Sequence, residues 1–140
     1  MLTIRAGQMA IFEKALQARV ADDTIAFLRT EFPAEVRGIT EAVLRRRVLQ
    51  GLAQARRYGI RAESSLRVFV ATMFTAGPHF DRHPVVARLL RDSSRDPDDR
   101  VDALALELSD RVWEEMAILS GGDLWDGEPE GISEGQCLTA

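Results

Sequence analysis

The sequence predicts an all-α fold, a single compact bundle of about five or six helices, on three observations. Apolar residues recur at helical spacing along most of the chain. No useful length of it alternates in the manner of a strand. Stop signals at Pro33, Gly59, Gly77-Pro78 and Gly121-Gly122 punctuate the periodic stretches. At 140 residues the chain fits one domain. It is long enough to bury a core without metals or disulfides. Residues 1–119 form the predicted bundle and 120–140 a disordered acidic tail.

Taken in order, Ile4, Ile11, Phe12, Ala15 and Leu16 fall on one helical face. Ala21, Ile25, Leu28 and Phe32 continue the pattern until Pro33 ends it. Asp22, Asp23 and Thr24 read either as the cap of a second helix or as a solvated turn. A helix from about Ile39 to Tyr58 carries the stripe Leu44, Val48, Leu52 and Ala55. Gly59 can take the left-handed conformation that closes it, and Ile60 can fold back on its last turn. The next helix, about Glu63 to Ala76, has Leu66, Phe69, Val70, Met73 and Phe74 as its buried face. A short helix begins at Pro84, where proline suits the first position. After the polar turn 92–99, one long helix is expected from about Pro97 to Leu119. Val101, Leu104, Ala105, Leu108, Val112, Met116 and Leu119 form its stripe. Asp96 is its candidate N-cap, and Asp98 and Asp99 suit the positive end of the helix dipole. Residues 120–140 are rich in Gly, Asp, Glu and Ser and lack periodicity, the composition of a disordered segment.

Charge is divided along the chain. Residues 1–91 hold 15 Arg and Lys against 8 Asp and Glu, net +7, and residues 92–140 hold 3 against 14, net −11. The single cysteine, Cys137, cannot form an internal bridge, so nothing points to an oxidising compartment. The first residues lack the charged start and apolar run of a signal peptide. The apolar runs fall far short of the roughly 20 residues of a membrane helix. A cytoplasmic location is expected.

The stretch His79-x-Asp81-x-His83 raises the question of a metal or an acid–base pair. Gly77-Pro78 before it and Pro84 after it forbid the continuous helix on which two histidines four apart share a face. No third histidine exists, and Cys137 lies in the predicted tail. No nucleophile elbow or phosphate loop is present. The expected reading is a helix-to-helix corner: Phe80 plugs the core, Asp81 caps the helix starting at Pro84, and His83 lies at the surface. No catalytic, metal-binding or cofactor-binding residues are assigned.

Three features suggest binding to a partner. Arg45-Arg46-Arg47 and Arg56-Arg57 invite nucleic acid. Three consecutive helical residues fan over about 200 degrees, though, and so form no compact stripe. A solvated face that pairs with the acidic last helix or a partner fits better. Leu124-Trp125, among Asp123, Asp126, Glu128 and Glu130, has the composition of a docking motif or of a solvating tail. Val68 and Ala71 widen the apolar surface of the helix 63–76, which is therefore either central or completed by another chain at Val68. The candidate partner-binding residues are Arg45, Arg46, Arg56, Arg57, Val68 and Trp125.

Several stretches also carry a resemblance. These are Leu2-Thr3-Ile4-Arg5-Ala6 with Gln8-Met9, Phe32-Pro33, Tyr58-Gly59-Ile60 with Glu63, Phe69-Val70-Ala71-Thr72-Met73-Phe74, and Gly77 with Phe80-Asp81 and Pro84. Over residues 2–92 the chain resembles a family of small bacterial helical proteins encoded beside type VI secretion spike-tip (PAAR-type) and effector genes. Members tend to carry an acidic residue where this chain has His83, which weakens a metal role for the histidine pair. The resemblance implies no catalytic residues. It implies a partner-binding role as adaptor, chaperone or accessory factor for a spike or effector. Two alternatives stand beside it: an immunity protein whose acidic end covers a toxin's basic site, and a nucleic-acid-binding regulator using the arginines. An enzyme built on His79, Asp81 and His83 is the remaining class.

Overall fold

The computed structural model describes residues 6–119 and Trp125. Among these residues every regular element is helical: α1 (Ala6–Glu31), α2 (Pro33–Val36), α3 (Glu41–Arg57), α4 (Glu63–Ala76), a 3₁₀ turn at Phe80–Arg82, α5 (Pro84–Leu90), α6 (Pro97–Leu106) and α7 (Asp110–Leu119). The acidic segment predicted to be disordered lies outside the described residues, apart from Trp125.

The centre of the fold is α4. It packs against α1, α2, α3, α6, α7 and the 3₁₀ turn. Its predicted stripe is buried, and so are Ser65, Ala71, Thr72 and Ala76. The Thr72 hydroxyl donates to the Val68 carbonyl at 2.8 Å, so a polar group enters the core with its hydrogen bond made inside the helix. Val68 is half-buried against the core. α3 packs against both α1 and α4 with its stripe Leu44, Val48, Leu52 and Ala55 buried, and Gly51 lets α3 and α4 approach closely. A Cβ at Gly51 would sit 3.0 Å from Val70 Cγ2 and 3.1 Å from Met73 Sδ.

The end of α3 follows its sequence. Gly59 has φ 83°, the Gly59 amide donates to the Arg56 carbonyl at 2.9 Å and the Ile60 amide to Ala55 at 3.2 Å. Those are the paired bonds of a Schellman close, with Ile60 buried behind them. Pro97 packs over Gly59. Next to it, Asp98 accepts from the Ala62 amide at 3.0 Å and the Arg61 amide at 3.4 Å. The start of α6 thus supplies acceptors to the start of α4. Asp96 stands at the N-cap position of α6 but makes no side-chain cap bond.

Three expectations about the elements change. First, α1 is one helix through Asp22-Asp23-Thr24. Thr24 faces the core and donates to the Val20 carbonyl at 2.7 Å, one turn back in the same helix, and starts no new helix. Second, Ile11, Phe12 and Leu16 do not face a core; Ile11 and Phe12 are 72% and 67% exposed. The reason is length. At 1.5 Å per residue α1 spans about 39 Å, against about 26 Å for α3 and about 21 Å for α4. The neighbours of α1 cover its second half, where Val20, Ala21, Ile25 and Leu28 are buried. Third, the single long helix predicted from Pro97 to Leu119 is broken at 107–109 into α6 and α7. Ser109 opens the new helix, its hydroxyl accepting from the Val112 amide at 3.4 Å and its carbonyl from Trp113 at 3.2 Å. The bend carries α7 onto α4 and the 3₁₀ turn, burying Met116. Ala105, assigned to the stripe, is exposed, and Ala103 is buried in its place.

Candidate partner-binding surfaces

At the corner after α4 both polar side chains depart from the sequence reading. Phe80 is buried, with its ring 5.1 Å from that of Phe69. Asp81 does not cap α5. It is buried, and its Oδ2 accepts from the Tyr58 hydroxyl and from Gln54 Nε2, both at 2.6 Å. Its Oδ1 is buried with no hydrogen-bond partner among the described residues. The cap comes from His83 instead, whose Nδ1 accepts from the Val85 amide at 3.2 Å. Expected at the surface, His83 is only 5% exposed, because α7 lies over it and Glu115 Oε2 sits 2.7 Å from Nε2. With its lone pair on Nδ1 committed to Val85, the ring carries its proton on Nε2 and donates it to Glu115. The hydrogen bond from His83, helped by Arg111, holds the Glu115 carboxyl below its usual range. Burial first, then the bond to Asp81, pushes the Tyr58 hydroxyl up to about 12.

Around Tyr58 and Asp81 opens a cleft of about 530 Å³, bordered by Gln54, Arg57, Arg91 and Arg100. Arg100 is fixed there by its bonds to the Leu90 carbonyl at 2.9 Å and the Arg95 carbonyl at 3.2 Å. Arg57 donates to Gln54 Oε1 at 3.3 Å. A second hollow of about 200 Å³ adjoins it, and Gln54 and Arg57 border both. Trp125 lines this second hollow. Its indole is 3% exposed, with its ring 4.9 Å from that of Phe74 and the Arg47 guanidinium 5.6 Å from its centroid.

The predicted binding residues therefore disperse. Arg45 is paired with Asp22 on α1, with donor–acceptor distances of 2.7 and 2.6 Å. Arg46 is exposed. Arg56 borders a groove of about 430 Å³ between α1 and the α3–α4 corner, over the apolar residues Leu16, Val20, Ile60 and Leu66. Arg57 faces the opposite cleft, and Val68 sits elsewhere on α4. Only Arg57 and Trp125 meet at one place. Arg47, next to Arg46 in the cluster but not a candidate, is the arginine that touches Trp125. Gln54, Tyr58, Asp81, Arg91 and Arg100 carry no signal as a group in the sequence, where Tyr58 stands in a helix stop and Asp81 in a corner.

No group of three or more metal-ligating side chains occurs among the described residues. No helix among them is long and apolar enough to cross a membrane. Compared with known families, curated proteins and solved structures, the chain matches none of them.

Proposed function

We propose that this chain is a non-enzymatic protein-binding module and that the first half of α1 is its docking surface. One observation carries the reading: every residue from Gly7 to Arg19 is exposed, and among them Met9, Ile11, Phe12 and Leu16 present apolar side chains to solvent. Ile11, Phe12, Ala15 and Leu16 recur at the spacing of one helical face. An apolar helical face left uncovered among the described residues is the kind of surface that helix-in-groove recognition uses. The groove beside Leu16 and Val20 extends this surface toward the bundle. The resemblance over residues 2–92 makes a type VI secretion spike-tip protein or its effector the first partner to try, with this chain as adaptor, chaperone or accessory factor.

The test is a paired pull-down from the native host with the wild type and an Ile11→Asp/Phe12→Asp variant. Because both side chains are mostly exposed, the variant should retain its circular dichroism and melting temperature. The wild type should recover an identified spike-tip or effector protein that the variant loses. Recovery of the same proteins by both would remove α1 as the docking surface. Recovery of nucleic acid alone would favour the regulator reading, and rescue of cells from a neighbouring toxin would favour an immunity protein.

A further inference from the structure

The hollow that Trp125 lines and the arginine cleft adjoin along α3, where Gln54 and Arg57 border both, and together they form a groove beside the indole. We propose that this groove is a receptor for an acidic linear peptide with a tryptophan anchor, and that the chain's own Trp125 occupies the anchor position. This surface is separate from the exposed face of α1.

The chemistry of the two parts differs, and together they specify the ligand. The slot is built for an indole. Phe74 meets it ring to ring and Arg47 lies within cation–π distance, while Met73 and Pro78 line the hollow beside it. A buried aromatic beside an arginine is the usual chemistry of an interface anchor. The cleft beyond it is cationic. Arg57, Arg91 and Arg100 surround it against one carboxylate, Asp81, whose Oδ2 is already taken by Tyr58 and Gln54. Guanidinium forks of this kind favour carboxylates. The sequence around the present occupant has the matching composition: Asp123, Asp126, Glu128 and Glu130 flank Trp125 within eight residues, 123–130. A partner segment with that composition would compete for the groove on the same terms. A nucleic-acid backbone would engage the arginines but leave the indole slot unexplained.

The experiment titrates a fluorescein-labelled peptide of residues 120–132 against the full-length protein and reads anisotropy. Trp125→Ala empties the slot, so it should bind the peptide about tenfold or more tightly than the wild type, whose slot is filled. A peptide with alanine in place of Trp125, or with amides in place of Asp126, Glu128 and Glu130, should lose that binding. Equal affinity of wild type and variant overturns the proposal, as does undiminished binding of either altered peptide. Tighter binding of a single-stranded oligonucleotide than of the peptide overturns it in favour of nucleic acid. If Trp125→Ala does not fold, Trp125→Leu keeps an apolar group in the slot while giving up the indole contacts. No gain in peptide affinity over wild type then overturns the proposal. A wild-type dimer that becomes monomeric in either variant would place the indole between copies and overturn occupancy within one chain. The Ile11→Asp/Phe12→Asp variant should titrate as the wild type does, so failure here and failure of the α1 surface are read separately.

Discussion

Asp81 shows how one buried side chain organises its surroundings. Its Oδ2 joins α3 to the corner through Tyr58 and Gln54, residues 23 and 27 positions away in sequence. The consequence is measurable at Tyr58, the only tyrosine of the chain. Burial and the Asp81 bond both favour the neutral phenol, so its folded value lies near 12 against 10.0 for the free side chain. The folded state therefore keeps a proton that the unfolded state releases above pH 10. That contribution to stability is complete below pH 10 and disappears as pH rises toward 12. Ultraviolet titration of tyrosinate should show a midpoint near 12 in buffer and near 10 in denaturant. Asp81→Asn should bring the folded midpoint down without reaching the unfolded one, since burial, the larger cause, remains. A folded midpoint at 10 would show that the phenol is neither buried nor bonded as described.

Among the elements, the α3–α4 contact depends most on a single residue. Gly51 is a poor helix former, costing about 1 kcal/mol against alanine. Its value is the absence of a side chain where Val70 Cγ2 and Met73 Sδ close in. Gly51→Val would drive two branched carbons into the fully buried Val70. Overpacking of this kind costs about 1–3 kcal/mol. Denaturant unfolding should show a lower midpoint with an unchanged slope. A variant as stable as wild type would mean that the helices separate easily. The break between α6 and α7 has a gentler origin. No proline or glycine marks it, and apolar spacing runs across it, yet Ser109 starts a new helix because bending lets Met116 reach the core.

Across the whole molecule, two polar clasps among the described residues hold α6 and α7 to the elements before them. Asp98 serves the start of α4, and Glu115 holds His83 from α7. The Glu115 carboxyl titrates below its ordinary 4.5 in the folded state, so the unfolded chain takes up that proton first as pH falls. Its stabilising effect is present above pH 4.5 and is lost as pH falls through the folded value. The melting temperature of wild type should exceed that of Glu115→Gln at pH 7, and the gap should close below about pH 4.5. A gap independent of pH would assign the effect to packing. Much of the fold was legible because its determinants are local. The ends of α4, the buried stripes of α3 and α4 and the left-handed Gly59 follow from spacing and from which residues can adopt a given backbone angle. The site was less legible, because the role of a polar side chain depends on which distant group comes within about 3 Å of it. Asp81 and His83 depart from their expected roles on account of Tyr58, Gln54 and Glu115, the last 32 residues from His83. Spacing also made Ile11 and Phe12 indistinguishable from Ile25 and Leu28. The sequence by itself determined which residues form helices and where most of those helices stop, because those are contests within a few bonds of chain. Only the tertiary structure decided which apolar faces find a neighbour and that Trp125 meets Arg47, because burial depends on how long each neighbouring helix is and where it lies.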